Sequence, residues 1–253
     1  MPRRRRATAR KNGALSGSVR RGGVPFATVF ARMSAPEMSS WFEAVWAKRE
    51  DEVYRALFTD LGQALPASSA VYERYCQEPH PGWLHHVVFA CPPVAGRKHW
   101  LYVTSGLSNP WNLDQPGRDP SGYSGLGFEL AIATPERSAY APQLLHNLMA
   151  YELLVAVGRY PGAELLEYGN RVPLRGSITP EFESAIRWLL VEQPKEYPSS
   201  FDLPPGRVDW FQLVGATEAE IEFAQQAGHD SLVALLQQQG AHPVTDAARK
   251  SLR

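Results

Sequence analysis

Four groups of residues have the types and spacing that chemistry demands. The first is His80, His85, His86, Cys91 and His99, whose side chains could bind zinc if three or four of them converged at short bond lengths. Adjacent His85 and His86 point to opposite faces if they lie on a strand, so their proximity in sequence argues against a shared metal. The second is Gly122-Tyr123-Ser124-Gly125-Leu126, close to the strained turn that carries a hydrolase serine. Leu126 stands where that motif needs a second glycine, and the order is loop to strand instead of strand to helix. The third, Gly125-Leu126-Gly127, lacks the third glycine of a dinucleotide loop and opens a strand, so no helix N-terminus follows to hold a phosphate. The fourth is a pair of polar residues, Glu129 and Gln212, set within otherwise apolar strands. A buried carboxylate or amide must be paired or hydrogen-bonded, so both are expected to be structural polar anchors. No catalytic residue, metal or cofactor is assigned.

The elements that hold these residues follow from periodicity. In Tyr123–Ile132, Leu126, Phe128, Leu130 and Ile132 share one strand face and Gly127, Glu129 and Ala131 the other. The small second face implies that something packs closely over it. His86–Cys91 and His99–Thr104 read as a hairpin, and Arg207–Ala216 as a late strand. Ser184–Glu192 fits either a strand or a helix by its pattern. Trp41, Phe42, Val45, Trp46, Val53, Leu57, Phe58 and Leu61 mark an amphipathic helix over residues 40–61, and Gln143–Ala156 marks a second. Thr217 and Glu220 form a capping-box pattern for a third, which Gly228 ends before a fourth over Asp230–Gln239. Glu218, Glu220 and Glu222 suit a solvated first turn. This order predicts an α+β fold, a mixed or antiparallel central sheet covered by helices. Gly106–Gly125 carries too many prolines and glycines for regular structure, and so long a loop in a compact domain is a functional candidate.

The chain has 253 residues with 26 basic and 26 acidic side chains, yet residues 1–32 hold nine basic residues and no acidic one. The remainder therefore carries an acidic excess. The basic stretch has three readings: an arm drawn to nucleic acid or membrane, a transit peptide, or a disordered extension from an upstream start codon. The last is preferred, because Arg, Ala, Gly and Ser cannot bury a core and Met33 or Met38 would begin a chain that keeps every strand named above. Residues 1–36 are read as that extension and 37–253 as one domain. Nucleic acid is not expected as a partner except through this tail. No apolar run is long enough to span a membrane. Two cysteines imply no disulfide framework, which agrees with reduced thiols in the cytoplasm. Oligomeric state is not legible.

Trp100–Ser108, Pro120-Ser121-Gly122, Gly125–Leu130, Leu189–Pro194 and Trp210–Ala216 together resemble the suppressor-of-fused domain in order and spacing. The helix with Leu145, Leu148 and Tyr151 and the one opening Thr217-Glu218-Ala219-Glu220 fit the same resemblance, which runs from about Met38 to Leu252. It implies the fold of that family's N-terminal domain and a binding module in place of an enzyme. In the animal proteins the domain helps clamp a short extended peptide of Gli-family transcription factors against a second, C-terminal domain. The tyrosine and aspartate that line that peptide correspond to Trp111 and approximately to Asp119, displaced by the extra Tyr123-Ser124. Trp111, Asp119 and Tyr123 are the residues expected to contact a protein or peptide. Single-domain bacterial relatives are regarded as immunity proteins that neutralise polymorphic toxins, and that role is the expected one here. The alternatives are a peptide-binding scaffold that uses a sheet edge and, as a contrast, a hydrolase built on His and Glu.

Overall fold

The computed structural model describes residues 35–73, 86–109 and 122–253. It contains an eight-stranded mixed sheet in the order β1-β2-β3-β4-β8-β6-β5, with β7 paired to β8. The strands are β1 (Gln63–Pro66), β2 (Val87–Cys91), β3 (Trp100–Ser105), β4 (Tyr123–Thr134), β5 (Arg171–Pro173), β6 (Ile186–Glu192), β7 (Ser200–Leu203) and β8 (Gly206–Thr217). β1 to β4 form an antiparallel meander, and β4 runs parallel to β8. The fold is α+β, as the order of elements predicts, and the ambiguous segment 184–192 is a strand over Ile186–Glu192.

The alternation in β4 separates two buried faces. Leu126, Phe128, Leu130 and Ile132 pack with Leu145, Met149 and Leu153 of a helix we label α4 (Tyr140–Ala156). Ala131 and Ala133 on the other face pack with Tyr54, Phe58 and Trp210. That second layer comes from one long helical run: α1 (Ala35–Trp46), a π-helical stretch (Ala47–Tyr54) and α2 (Arg55–Phe58). Wider π turns bring residues five apart toward one face, and Arg49 and Tyr54 are both fully buried against the sheet. A short α3 (Ser69–Glu73) precedes β2.

At the far end of the sheet, α5 (Glu218–Ala227) and α6 (His229–Gln238) cover Leu190, Val214 and Ala216. The capping box is formed: Glu220 N–H donates to Thr217 Oγ1 and Thr217 N–H to Glu220 Oε2. Glu220 is not solvated, however. It is buried and receives both Nη1 and Nη2 of Arg249, at 2.6 and 2.7 Å. A cap that also anchors a distant arginine ties the last residues of the chain to the sheet. Among the described residues no helix is long and apolar enough to cross a membrane.

One core carboxylate has a consequence for pH. Glu152 on α4 is buried, accepts one hydrogen bond from Leu166 N–H at 3.0 Å, and is pushed up to about 7 by that burial. In the unfolded chain it titrates near the ordinary value of about 4.3. Between those values the folded state holds a proton that the unfolded state releases. The stability linked to this group is therefore full below the ordinary value and lost as pH rises through about 7. Glu152→Gln is expected to remove this dependence and to stabilise the protein by roughly 3 kcal/mol at pH 8, with little change at pH 4. Urea midpoints at the two pH values measure it, and an unchanged profile in the variant would refute the assignment.

Candidate recognition site at the base of the 106–122 segment

Thr104 and Ser105 end β3 and Gly106, Ser108 and Asn109 follow them, while Gly122 precedes β4 and Tyr123–Gly127 open it. The two stems meet directly: Leu126 N–H donates to Leu107 O at 2.8 Å, and Ser124 Oγ donates to Ser108 O at 2.6 Å. Gly125 lies where they cross, at φ +59°. A Cβ there would stand 2.4 Å from Asn109 O, so only glycine lets the strands approach this closely. The register between β4 and β8 shifts between Tyr123 and Phe128, which lets the extra residues of the glycine-rich stretch bulge toward the first stem.

Glu129 lies beneath this crossing with no exposed surface. Its Oε1 accepts from Gly106 N–H (2.9 Å), Ser108 N–H (2.9 Å) and Ser108 Oγ (2.6 Å), and its Oε2 accepts from Thr104 Oγ1 (2.6 Å). Arg49 Nη1 stands 3.8 Å from Oε1 and donates to Ser108 Oγ at 2.9 Å and Asn109 Oδ1 at 3.0 Å. The Ser108 hydroxyl thus accepts from the cation and donates to the anion. Trp46 Nε1 also donates to Asn109 Oδ1 (2.9 Å), Ser105 Oγ to Glu50 Oε1 (2.5 Å), and Tyr54 Oη to Thr104 O (2.7 Å). Burial and the nearby Glu129 carboxylate push the Tyr54 phenol well above its ordinary value, so it remains a donor at any physiological pH. One strand carboxylate and three turns of helix therefore fix the point from which the segment departs. Charge-assisted hydrogen bonds of this length in a dry site hold a backbone stiffly.

Of the residues expected to contact a partner, Trp111 and Asp119 lie outside the described residues. Tyr123 is the first residue of β4, partly exposed, and its ring lies across Gly127, where a Cβ would be 2.8 Å away. Gln212 is buried on the same face as Glu129. It accepts from Tyr197 Oη at 2.9 Å and donates to Leu213 O at 3.3 Å, without touching the loop base. The residues that sequence reasoning missed are Trp46, Arg49 and Glu50. Their signal was a gap: the apolar stripe through Val45 and Val53 needs one more member at Arg49, and a charge at such a position implies a buried counter-ion.

Histidines and cysteine are spread out. His86 is hydrogen-bonded to Gly106 O (3.0 Å), His99 pairs with Glu196 (3.2 Å), and Cys91 is buried, its thiol pushed up to about 12 by desolvation. His80 and His85 lie outside the described residues. Among the described residues no group of three or more His, Cys, Asp or Glu side chains is placed to hold a metal ion.

The residues on either side of segment 110–121 are thus bonded to each other and to the helix over the sheet. The chain belongs to the suppressor-of-fused family, a family of protein-binding modules: the family model described as Suppressor of fused protein (SUFU) matches residues 82–250. The fold is similar to that in the Sufu-Fu complex crystal structure, at 22% identity and a TM-score of 0.60 over 82% of this chain and 92% of that one. It is also similar to Drosophila Suppressor of Fused, at 24% identity and a TM-score of 0.51 over 66% of this chain but 42% of that one. A SUFU homologue from Neisseria gonorrhoeae FA 1090 aligns over 84% of this chain and 97% of its own, at 16% identity and a TM-score of 0.53. No curated protein matches.

Proposed function

We propose that this chain is a non-enzymatic protein-binding module whose partner contact is the segment 106–122, and that the partner is a toxin which it neutralises as an immunity protein. The observation that carries the reading is the Glu129 centre, because it joins both stems of that segment to each other and to the helix over the sheet. A loop held at its base loses less entropy on binding than a loose one. The acidic excess outside residues 1–32 supports a basic partner, since complementary charge speeds encounter and orients it. The Sufu-Fu complex is of a related fold with a protein partner, which agrees with recognition of a protein here.

A sheet-edge binder is the second reading. The outermost strands β1 and β5 are short, and each ends in a proline, Pro66 and Pro173. Proline has no N–H for an added strand, and short edges resist pairing, so the loop is favoured over the edge. The test is capture of the product of an adjacent gene, followed by rescue of its toxicity. Trp111→Ala is expected to weaken capture at least about tenfold, as loss of an aromatic anchor does, with the thermal midpoint unchanged. Equal affinity of the variant would remove the loop from the interface, and failure to bind any neighbouring product would sink the immunity role.

A further inference from the structure

On the opposite face of the sheet from Glu129, a groove of about 730 Å³ runs between α4 and β5. One wall is the stripe of α4 that includes Asn147, Tyr151 and Glu152, and the other holds Tyr160 and Val172. Within it are two acceptors without donors among the described residues: Glu152 Oε1, on a side chain with no exposed surface, and Asn147 Oδ1. Glu152 spends its other oxygen on Leu166 N–H. Tyr151, exposed at 37%, stacks on Tyr160 with ring centroids 5.3 Å apart. A native fold rarely leaves buried acceptors unpaired, and two of them lining one groove beside the exposed ring of Tyr151 point to a ligand rich in donors.

Three kinds of donor are available. A hard divalent cation needs about six oxygens, more than this wall supplies. An ammonium is a compact, strongly hydrated point charge that cannot lie flat on a ring while its donors reach two acceptors in plane. A guanidinium carries five donors in a planar fork, is weakly hydrated, and stacks on tyrosine. Arg171 and Arg175 stand on the β5 wall, which confines a cation to the α4 wall. The volume is far larger than one guanidinium requires, so the group arrives attached to a longer segment.

We propose that the groove between α4 and β5 is a second binding site, which takes an arginine side chain of a protein partner, its fork on Glu152 and Asn147 and its plane against Tyr151. That a protein supplies the arginine rests on the binding-module reading above. The chemistry of the groove does not rest on it.

The test titrates the full chain, isotope-labelled, with N-acetyl-arginine methylamide at pH 8 while amide and aromatic resonances are followed. The Leu166 amide and the Tyr151 ring are expected to shift saturably, the citrulline analogue to bind at least about tenfold more weakly, and Glu152→Gln to lose the same factor. Tyr151→Ala, at an exposed position, is expected to weaken binding several-fold and checks the aromatic contact independently of Glu152. Trp111→Ala is expected to leave this titration unchanged even where it abolishes partner capture, so the two sites fail separately. No saturable shift at Leu166, or equal binding of the neutral analogue, would overturn the site. Tighter binding of free L-arginine than of the blocked residue would make the ligand a metabolite and overturn a protein source.

Discussion

Glu129→Ala is expected to lower the stability of this protein by about 3–5 kcal/mol, the usual cost of breaking a buried ion pair by removing one partner. The variant leaves Arg49, which has no exposed surface, with the partly exposed Glu50 at 3.6 Å as its remaining counter-ion, and strands the donors Gly106 N–H, Ser108 N–H and Thr104 Oγ1. In a chain of this size the thermal midpoint falls by on the order of 10 °C. Glu129→Gln keeps the volume but sets an amide N–H₂ against these donors, so it recovers only part of the loss. Because the carboxylate joins both stems, partner affinity is expected to fall along with stability. Urea unfolding and partner capture measured on the same preparations check both claims. A loss below about 1 kcal/mol would mean that Arg49 and the donors find other partners.

The second large effect is expected at Trp210. It is the largest fully buried side chain of the sheet, paired in register with Glu129 across β4 and β8. Tyr54, Phe58, Tyr197 and Phe201 surround it with ring centroids 5.1, 5.4, 5.8 and 5.3 Å away. Trp210→Ala is expected to cost about 3–5 kcal/mol through the cavity it opens. Its indole N–H has no acceptor among the described residues, so Trp210→Phe sacrifices no hydrogen bond there and costs far less. Equal losses for the two variants, measured by urea midpoint, would show that the indole N–H and not the packing matters. As neighbours on one face, the Glu129 and Trp210 truncations are expected to be non-additive.

The parts of the fold visible in the sequence are those in which local pattern and tertiary role agree. β4 alternates large apolar residues with small ones and Glu129 from Leu126 to Ala133, β8 is a long run rich in β-branched and aromatic residues, and the box at Thr217 and Glu220 is a local device. β1 and β7, four residues each, carry no alternation worth reading; their conformation is imposed by pairing with β2 and β8. The first turn of α5 looked solvated because its acids match the helix dipole, yet Arg249, far along the chain, buries Glu220. The site divides in the same way. Thr104, Gly106, Ser108 and Glu129 lie within the segments that carry the family resemblance, and a buried carboxylate there calls for donors. Arg49 is eighty residues from Glu129, and only the missing apolar member of its helix stripe hinted at where it goes.

The parallel alignment of β4 with β8 also orders assembly in time. The β1–β4 meander closes through neighbouring segments, whereas β4 must wait for a strand that begins at Gly206. Contacts so distant along the chain are slow to form. A nascent chain that has passed Thr134 but not Thr217 therefore displays the inner edge of its longest strand, a template for the wrong neighbour. The crossing over Glu129 needs only residues up to β4, but the wall of Trp210 beside it arrives later, with β8. The packing around Glu129 is complete only once β8 has been made and paired with β4.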